Sequence, residues 1–418
     1  MTYRPRIVDT ELAARLASTG AVVIEGPKAC GKTMTARQAA ASEVLLDVDE
    51  KARTAISIDP TLVLDGATPR LIDEWQIEPT IWNHIRRTVD DRARPGQFIL
   101  TGSAVPADDV TRHAGAGRLT RLRMRPMSLA ETGHSTGAIS IAALLDGVPP
   151  RSPSTEPSLR DLAERVSVGG WPGHIASELN LTQALRTNRD YLEEVRRVDV
   201  ARVDGAQRDP AKLDRLLRSF ARNVATHAAV TTLATDAGGP DTALRDQTVQ
   251  AYLVALERLM IVEDQPAWTP HLRSRARLRR KPKRHFVDPS LAVAALRATP
   301  DHLLEDLELF GFLFESLVVR DLRVYAQAAD AEVLQYRDNT GLEIDAIVQA
   351  ADGRWAAFEI KLGAGQVDDA ARNLLKFAAR VDPEAGRAPA ALAVIVPGGY
   401  GYVRDDGVGV IPLTALGP

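Results

Sequence analysis

The sequence contains a single cysteine, Cys30, among 418 residues, and this scarcity excludes two kinds of stabilising site. One thiol cannot form an intrachain disulfide, and it cannot supply the several cysteine ligands of a structural zinc centre. Long hydrophobic runs are also absent, since no apolar stretch reaches the roughly 18 residues that a membrane-spanning helix requires. The first residues lack the apolar core of a secretory signal, so we expect a cytoplasmic protein without a membrane partner.

Lysine is rare as well, because the chain has eight lysines beside 44 arginines. A lysine within a motif is therefore an uncommon coincidence. The overall composition is ordinary for a globular protein, with 45% hydrophobic and 26% charged residues and a formal net charge of −3. A chain of this length exceeds a usual single hydrophobic core, so we expect about two to four domains.

A glycine-bounded loop follows a short apolar run at residues 21–25 and precedes a helical pattern. It fits G-x-x-x-x-G-K-[ST] and is predicted to bind ATP through eight residues: Gly26, Pro27, Lys28, Ala29, Cys30, Gly31, Lys32 and Thr33. The glycines let backbone N–H groups point at phosphate oxygens, and the following helix adds its positive end. Lys32 would reach the β- and γ-phosphates, while Thr33 would bind Mg²⁺. A glycine-rich turn with a solvated lysine is the alternative.

Two carboxylates end a later apolar strand pattern and support a nucleotide site. Asp73 is predicted to hold Mg²⁺, and Glu74 to polarise the water that attacks the γ-phosphate. Thr101 and Ser103 end the next strand and could orient that water or sense the γ-phosphate, although a capped loop explains them equally well. Arg118 is a candidate arginine finger supplied to a neighbouring subunit of a homo-oligomer. A surface arginine is the alternative there.

Strands and helices alternate through residues 1–135, which predicts an α/β domain of the P-loop NTPase class, with a mostly parallel sheet covered on both faces. The middle of the chain is predicted in two parts, a helical lid or linker at residues 136–205 and a winged-helix-like region at residues 206–300. Within the first part, the proline-rich stretch 146–158 is predicted to be a linker or long loop.

The segment 273–284 carries eight basic and no acidic side chains. It is the best candidate in the sequence for contact with a nucleic acid, because clustered cations bind phosphate backbones. A solvated loop is the alternative.

Residues 301–418 follow the order α-β-β-β-α-β and contain a cluster of carboxylates and lysine. Side-chain alternation on adjacent strands would bring Asp345, Glu359 and Lys361 together. The two carboxylates are predicted to bind Mg²⁺, the lysine to activate a water, and Glu315 in the preceding helix to add a further acid. A surface hairpin with ordinary Glu–Lys pairs is the alternative. The region has a net charge of −9, which disfavours it as a stand-alone binder of nucleic acid.

Nine segments taken in order resemble a known family, the bacterial and archaeal AAA-type ATP-binding proteins with an uncharacterised C-terminal domain. They are GPKACGKT, LIDEWQ, FILTGS, GRLTRLRMRPMSLAE, GGWP, YLEEV, KRHFVDPSLA, LFESLVVRDL, and YRDNTGLEIDAIV with AFEIKLG. The resemblance runs over nearly the whole chain. It implies an ATPase core, a helical and winged-helix middle, and a C-terminal fold similar to the PD-(D/E)xK, restriction-endonuclease-like nucleases.

The resemblance also implies roles for particular residues. The nucleotide positions match at the loop and at Asp73, Glu74, Thr101 and Ser103, and the nuclease-like positions match at Glu315, Asp345, Glu359 and Lys361. Lys28 departs from the family pattern, in which arginine is common at this position. The family has no settled biological role, and the resemblance therefore implies none.

Three functions follow from these observations. The first is a slow Mg²⁺-dependent ATPase whose nucleotide state controls the C-terminal domain. The second is a metal-dependent nuclease gated by ATP. The third is a non-enzymatic switch that binds DNA or a protein partner and uses the nuclease-like fold as a scaffold.

Overall fold

The computed structural model describes residues 3–102, 115–200, 208–238, 243–269, 281–381 and 388–418. The chain divides into two compact units. The first comprises Met1–Pro126, Val198–Gln207 and Val254–Ile261, and the second comprises Met127–Arg197, Arg208–Leu253 and Val262–Pro418. Each unit thus draws on separated stretches of the chain, whereas the sequence predicts four consecutive segments.

The first unit is built on a five-stranded sheet. Its strands are β1 (Ala21–Glu25), β2 (Ser42–Leu45), β3 (Arg70–Asp73), β4 (Phe98–Gly102) and β5 (Leu119–Arg123). All neighbouring strands are parallel, and the order across the sheet is β2-β3-β4-β1-β5. The accompanying helices are α1 (Val8–Ser18), α2 (Lys32–Ala39), α3 (Glu50–Ile58), α4 (Thr61–Leu64) and α5 (Ile81–Arg92), with a 3₁₀ turn at Trp75–Ile77.

Strand β1 lies inside the sheet, between β4 and β5, and contacts a hydrophobic cluster on each face. Ala21 and Val23 belong to one cluster, and Val22 and Ile24 belong to the other. A strand that is covered on both sides needs apolar residues in succession, which explains the unbroken run AVVI. The parallel α/β arrangement predicted for this part of the chain is confirmed.

The second unit begins with helices. They are α6 (Leu129–Thr132), α7 (Ile141–Leu145), α8 (Leu159–Val168), α9 (Pro172–Ala176), α10 (Leu181–Glu194), α11 (Pro210–Arg222), α12 (Val230–Gly238), α13 (Asp246–Arg258), α14 (Pro289–Leu296), α15 (Pro300–Glu305), α16 (Leu307–Ala328) and α17 (Val367–Arg380). Helix α13 ends in the stretch assigned to the first unit. A π-helix, Val195–Asp199, continues α10.

Local sequence fixes where several of these helices begin. Ser128, Ser158 and Asn180 each form a capping box, in which the cap side chain and the third helical residue satisfy each other's backbone N–H groups. Helix α11 begins with Asp209 as its cap and Pro210 at its first position, where a missing N–H costs nothing.

A mixed seven-stranded sheet forms the rest of the second unit. Its strands are β7 (Ser152–Thr155), β8 (Ala331–Arg337), β9 (Glu343–Ala350), β10 (Trp355–Ile360), β11 (Ala391–Val396), β12 (Gly399–Val403) and β13 (Gly409–Pro412), in the order β7-β12-β13-β11-β10-β9-β8. Strands β6 (Ile139–Ser140) and β14 (Leu416–Gly417) pair separately. Short 3₁₀ turns lie at Ala364–Gln366 and Leu413–Ala415.

Within this sheet, β8, β9 and β10 are antiparallel neighbours, and β11 runs parallel to β10 after the crossover through α17. The predicted order α-β-β-β-α-β therefore matches α16 to β11. Strands β12 and β13 extend the sheet beyond what the sequence pattern predicts.

The prediction of a linker at residues 146–158 is wrong for β7, which lies inside that stretch. Thr155 of β7 is paired with Gly399 of β12 in an antiparallel ladder. Because β7 is the edge strand of the sheet, Pro153 can lack a backbone N–H without breaking a ladder.

The middle of the chain, as far as it is described, combines helices α11 to α13 with two isolated antiparallel bridges, Val262 to Phe286 and Gln265 to Lys283. Most of the predicted basic segment 273–284 lies outside the described residues, which resume at Lys281. No helix within the described ranges is both long enough and apolar enough to cross a membrane.

Candidate functional site

The predicted phosphate loop lies between β1 and α2, and its conformation depends on glycine. Gly31 caps α2 with a φ of 104°, and Ala29 also has a positive φ of 62°. A Cβ atom at Gly26 would lie 2.3 Å from the carbonyl oxygen of Met124, so any side chain at this position would clash with backbone. The loop therefore adopts a tight turn that leads directly into the N-terminus of a helix.

Lys32 is buried inside this loop, and its contacts are with uncharged atoms. Its Nζ donates to the carbonyl oxygens of Gly26 at 2.9 Å and Pro27 at 2.8 Å. Only 6% of the residue is exposed. A buried ammonium that has carbonyl partners remains available to an anion, since no carboxylate neutralises it among these contacts.

Asp73 connects the loop to the neighbouring strands. Thr33 Oγ1 donates to Asp73 Oδ1 at 2.9 Å, and the hydroxyl of Thr101 donates to the same oxygen. The structure thus brings together three of the residues predicted to hold Mg²⁺ or sense phosphate, whereas Ser103 lies outside the described residues. A hydroxyl beside a carboxylate is an oxygen donor pair that suits Mg²⁺.

Glu74 follows Asp73 but does not continue the strand. Its φ is 52°, a left-handed conformation that is uncommon for a residue with a side chain and is often found at functional sites. Its carboxylate accepts a hydrogen bond from Gln76 Nε2. The sequence prediction did not include Gln76, although it lies only two residues further along the chain.

Arg118 lies at the other end of the sheet. Its Nε donates to Asp90 Oδ1 at 2.8 Å, and its carbonyl accepts from the N–H of Ala21, where β1 begins. The phosphate loop follows the carboxyl end of β1, so Arg118 does not reach the loop of its own chain. Its role toward a neighbouring subunit stays a prediction.

Two further side chains hold the phosphate loop and escaped the sequence prediction. Arg6 is 7% exposed, and its guanidinium donates to the carbonyl oxygens of Cys30 at 2.9 Å and Arg125 at 2.8 Å. Asp199 forms an ion pair with Lys28 of the loop. Neither residue is close to the loop in sequence, and no motif marks them.

The predicted carboxylate–lysine cluster lies at the ends of β9 and β10. Lys361 Nζ lies 2.9 Å from Asp345 Oδ2 and 2.6 Å from Glu359 Oε2. The backbone N–H of Ile360 donates to Asp345 Oδ2 at 2.9 Å. The structure thus brings the three residues together, and it places Glu315 of α16 in the same cluster. Their catalytic role stays a prediction.

A second lysine, Lys283, lies among these carboxylates. Its Nζ is 2.8 Å from Glu315 Oε1, 3.1 Å from Glu343 Oε1 and 3.2 Å from Asp345 Oδ1, and its side chain is 2% exposed. The sequence assigned this residue to the basic segment that would contact nucleic acid. That assignment is wrong for Lys283, because a buried ammonium paired with carboxylates cannot lie along a phosphate backbone.

The basic segment loses a further charge in the same way. Arg284, its last residue, forms an ion pair with Asp264 and is mostly buried, with 12% of its side chain exposed. Lys281 is exposed, and its contact with a nucleic acid stays a prediction. The rest of the segment lies outside the described residues.

Charge and burial shift the acidities within the cluster. Burial raises the pKa of Glu359 to about 8, and the charge of Asp345 adds to the rise. Burial also raises the pKa of Glu315 to about 7, against the opposing charge of Lys283. Burial alone would raise the pKa of Asp345, but Lys283 and Lys361 hold it well below its usual range. One firmly ionised carboxylate therefore lies between two ammonium groups, beside two carboxyls that bind protons near neutral pH.

This arrangement does not fit a divalent metal as it stands. Among the described residues, no group of three or more His, Cys, Asp or Glu side chains is arranged to hold a metal ion. The nitrogens of Lys283 and Lys361 lie where a cation would contact the carboxylates. The predicted metal-binding role of Asp345 and Glu359 is thus left without support from the geometry and stays a prediction.

Asn373 of α17 completes the cluster and was also absent from the sequence prediction. Its Nδ2 donates to Glu359 Oε1 at 2.6 Å and to the carbonyl oxygen of Glu343 at 2.8 Å. Asn373 lies in the second turn of this amphipathic helix. A polar residue is ordinary at such a position, so the sequence does not mark Asn373 as a site residue.

A separate buried hydrogen-bond network contains residues from several of the segments that carry the family resemblance. Arg320 donates to Asp288 at 2.8 Å and to Asp321 at 2.7 Å, and each of the three is at most 2% exposed. The N–H of Gly170 donates to Asp288 Oδ2 at 3.0 Å, and the N–H of Leu129 donates to Asp321 Oδ2 at 3.1 Å. These contacts join GGWP, VDPSLA, MSLAE and VVRDL in one buried hydrogen-bond network.

Comparison with known proteins divides the chain into three matched stretches. Residues 18–133 match an AAA domain, residues 159–302 match a domain of unknown function (DUF8612), and residues 310–416 match another domain of unknown function (DUF4143). The last match covers the carboxylate–lysine cluster and assigns it no activity.

Relatives span most of the chain. An uncharacterized protein of Mycobacterium bovis is 26% identical over 400 residues, which cover 94% of this chain and 80% of that protein, and an uncharacterized protein of Mycobacterium tuberculosis gives the same values. Among solved structures, a Walker-type ATPase of Pyrococcus abyssi has 13% identity and a TM-score of 0.41, over 69% of this chain and 94% of that chain. Residues 18–133, which match an AAA domain, thus contain the phosphate loop together with Asp73 and Thr101.

Proposed function

We propose that the protein is a slow Mg²⁺-dependent ATPase whose nucleotide state controls its C-terminal domain. The observation that carries this proposal is the buried Lys32, whose partners are two carbonyl oxygens of the phosphate loop. A triphosphate would offer this ammonium charged oxygens in place of neutral ones, and such charge-assisted hydrogen bonds are stronger.

The neighbouring residues fit the other requirements of ATP hydrolysis. Thr33 and Asp73 would hold Mg²⁺, which neutralises phosphate charge when it is bound. Glu74 would orient the attacking water, with its carboxylate kept in place by Gln76. The hydroxyl of Thr101 donates to Asp73 and would thereby hold this metal ligand against the adjacent strand β4.

The experiment is a measurement of ATP turnover by the purified chain with Mg²⁺. Lys32→Ala should abolish turnover and weaken ATP binding, because the charged donor is lost. Glu74→Gln should keep ATP binding and lose hydrolysis. Glu78→Gln, at a partly buried glutamate outside the proposed site, is the control and should behave as the wild type. Unchanged turnover in Lys32→Ala would disprove the proposal, and normal hydrolysis by Glu74→Gln would remove Glu74 as the residue that activates water.

A second candidate function, an ATP-gated nuclease, is favoured by the grouping of Asp345, Glu359 and Lys361 at adjacent strand ends. A C-terminal fold similar to the PD-(D/E)xK nucleases belongs to this proposal. Lys283 opposes it in the present arrangement, since its ammonium fills the space between the acids. The test is incubation with DNA and RNA, with Mg²⁺ or Mn²⁺, and with or without ATP. Absence of cleavage, or cleavage that survives Lys361→Ala, would count against it.

Contact with nucleic acid through residues 273–284 is part of the same proposal and also of a non-enzymatic switch. The winged-helix prediction for the middle region is supported by three helices followed by antiparallel bridges, as in Gln265 to Lys283. If the segment binds DNA, the triple neutralisation of Arg279, Arg280 and Lys281 should abolish salt-dependent binding. A nucleotide-dependent change of mass in light scattering would instead favour assembly with copies of the chain.

A further inference from the structure

The phosphate loop contains a second lysine, whose partner comes from a distant part of the chain. The side chains of Lys28 and Asp199 form an ion pair between residues 171 positions apart. The two partners differ in exposure, since 39% of the Lys28 side chain is accessible but only 4% of the Asp199 side chain. Part of the Lys28 side chain can therefore be reached from outside, whereas the Asp199 side chain is enclosed.

Asp199 is the last residue of the π-helix Val195–Asp199. It lies outside the stretch 18–133 that matches an AAA domain, yet Val198–Gln207 belongs to the same compact unit as the phosphate loop. π-Helices are rare, and they are frequently found at functional sites. The chain thus returns to its ATP-binding domain and places one buried carboxylate on the loop.

The charge balance of this contact changes when a nucleotide is present. Lys28 occupies the third position of the loop, between the two glycines that let the backbone wrap around phosphate. A polyphosphate brings several negative charges to this loop and competes with Asp199 for the ammonium. A buried carboxylate that loses its cation is costly, so the ion pair opposes nucleotide binding as long as it persists.

We propose that Asp199 is a positioning residue for the nucleotide: it holds Lys28 on the protein and releases it to the polyphosphate when ATP binds. The inference rests on the proposed ATP binding. It adds Asp199, which lies outside residues 18–133, as a residue that sets the affinity for ATP. Neutralising Asp199 removes the competitor while Lys28 stays in the loop, so ATP should bind more tightly.

The experiment is calorimetric titration of the full chain with the Mg²⁺ complex of a non-hydrolysable ATP analogue. Asp199→Asn should lower the Kd about tenfold, the effect expected when one charge-assisted hydrogen bond no longer has to be broken. In steady-state turnover the same variant should lower KM by a similar factor and should change kcat by less than it changes KM. Asp190→Asn, an exposed aspartate in α10, is the matched control and should bind as the wild type does.

A double variant separates competition from damage to the loop. In a Lys28→Gln background, which has no ammonium to release, Asp199→Asn should change the Kd by less than about threefold. Lys28→Arg keeps the ion pair and should retain the wild-type affinity. Circular dichroism of each variant verifies that it is folded.

The outcomes distinguish this inference from the proposed function. If the wild type binds the analogue and Asp199→Asn binds it equally or more weakly, the inference is overturned and ATP binding stands. An equal gain from Asp199→Asn with and without Lys28 would also overturn it, because the carboxylate would then act without the lysine. If the wild type gives no binding heat at millimolar analogue, both proposals fail.

Discussion

The phosphate loop and the carboxylate–lysine cluster both place a buried lysine and an aspartate at the ends of strands, but they balance charge in opposite ways. Lys32 of the loop contacts two carbonyl oxygens, whereas Lys283 of the cluster contacts three carboxylates. The contacts of Lys32 thus include no carboxylate, although Lys28 of the same loop is paired with Asp199. The cluster holds four carboxylates and two ammonium groups that already satisfy one another.

This difference indicates what each site can accept. A ligand with negative charge gains at the loop, because it meets backbone donors and an ammonium that has only neutral partners. A ligand of either sign must break existing ion pairs in the cluster, and that requires either proton uptake or movement of a lysine. The phosphate loop can therefore bind an anion without breaking an ion pair of Lys32, whereas the cluster can bind a ligand only after an ion pair is broken.

The strongest test of the comparison replaces the two lysines by methionine. Lys283→Met removes the shared cation of Glu315, Glu343 and Asp345, of which only Asp345 keeps Lys361 as a partner, and breaking such a buried pair costs roughly 3–5 kcal/mol. Lys32→Met leaves only carbonyl groups unpaired, so its cost should be about 1 kcal/mol. Urea denaturation followed by tryptophan fluorescence measures both, through Trp268 and Trp355 for the cluster and Trp75 for the loop.

Exposed Lys281→Met is the matched control for Lys283→Met and should leave the unfolding midpoint unchanged. Equal losses for Lys283→Met and Lys32→Met would contradict the comparison. Equal losses would mean that the carboxylates around Lys283 become neutral by binding protons, at no greater free-energy cost than that of leaving the loop carbonyls to bind water.

A smaller effect is expected from pH. The pKa values of Glu359 and Glu315 are raised by burial to about 8 and about 7, so these carboxyls bind protons more tightly in the folded chain than in the unfolded one. Their contribution to stability is complete below the ordinary pKa of glutamate and is lost as pH rises through the folded values. The free energy of unfolding should fall on the order of 1–3 kcal/mol between about pH 5 and pH 8.

The Glu359→Gln variant isolates the larger contribution. A neutral amide cannot lose a proton, so the decline of stability with pH should flatten in this variant. Exposed Glu308→Gln should keep the wild-type slope. A wild-type stability that rises over this pH range would show that Glu359 is ionised in the folded chain.

The sequence predicted what local patterns encode. The loop between β1 and α2, the position of Asp73 at the end of β3 and the order of α16 to β11 all follow from spacing and periodicity within short stretches, and the structure contains these elements. The binding roles of the loop and of Asp73 stay predictions. The pairing of Asp345 with Lys361 follows from strand alternation once the two strands are placed side by side.

The missing parts depend on contacts between distant stretches. Lys283 gave no signal as a buried residue, because seven other basic residues surround it in sequence and indicate a solvated segment. Arg6 and Asp199 reach the loop through the fold, and nothing near them in sequence resembles a motif. The sequence did not indicate strand β7, because Pro153 and the prolines around it are typical of loops, yet an edge strand tolerates a proline.

Substitutions of Asn373 test whether the carboxylate–lysine cluster can accept a further negative charge. Asn373→Ala removes two hydrogen bonds, to Glu359 and to the carbonyl of Glu343, and should cost roughly 1–2 kcal/mol of unfolding free energy. Asn373→Asp has the same shape but adds a negative charge beside Glu359, so it should cost more than alanine. If the aspartate variant were the more stable of the two, the cluster would have room for further negative charge, contrary to the comparison.

The smallest effect is expected at Arg118. This residue belongs to the first unit, but it pairs neither with a residue of the phosphate loop nor with one of the carboxylate–lysine cluster. Its ion pair with Asp90 lies on the surface, and exposed pairs of this kind add little to stability. Arg118→Ala should therefore leave the urea midpoint unchanged. Because the residue lies at the opposite end of the sheet from the phosphate loop of its own chain, ATP turnover per chain should also stay at the wild-type level at low protein concentration, where chains are separate. A loss of turnover that appears only at high concentration, where chains associate, would instead identify Arg118 as a finger supplied to a neighbouring subunit.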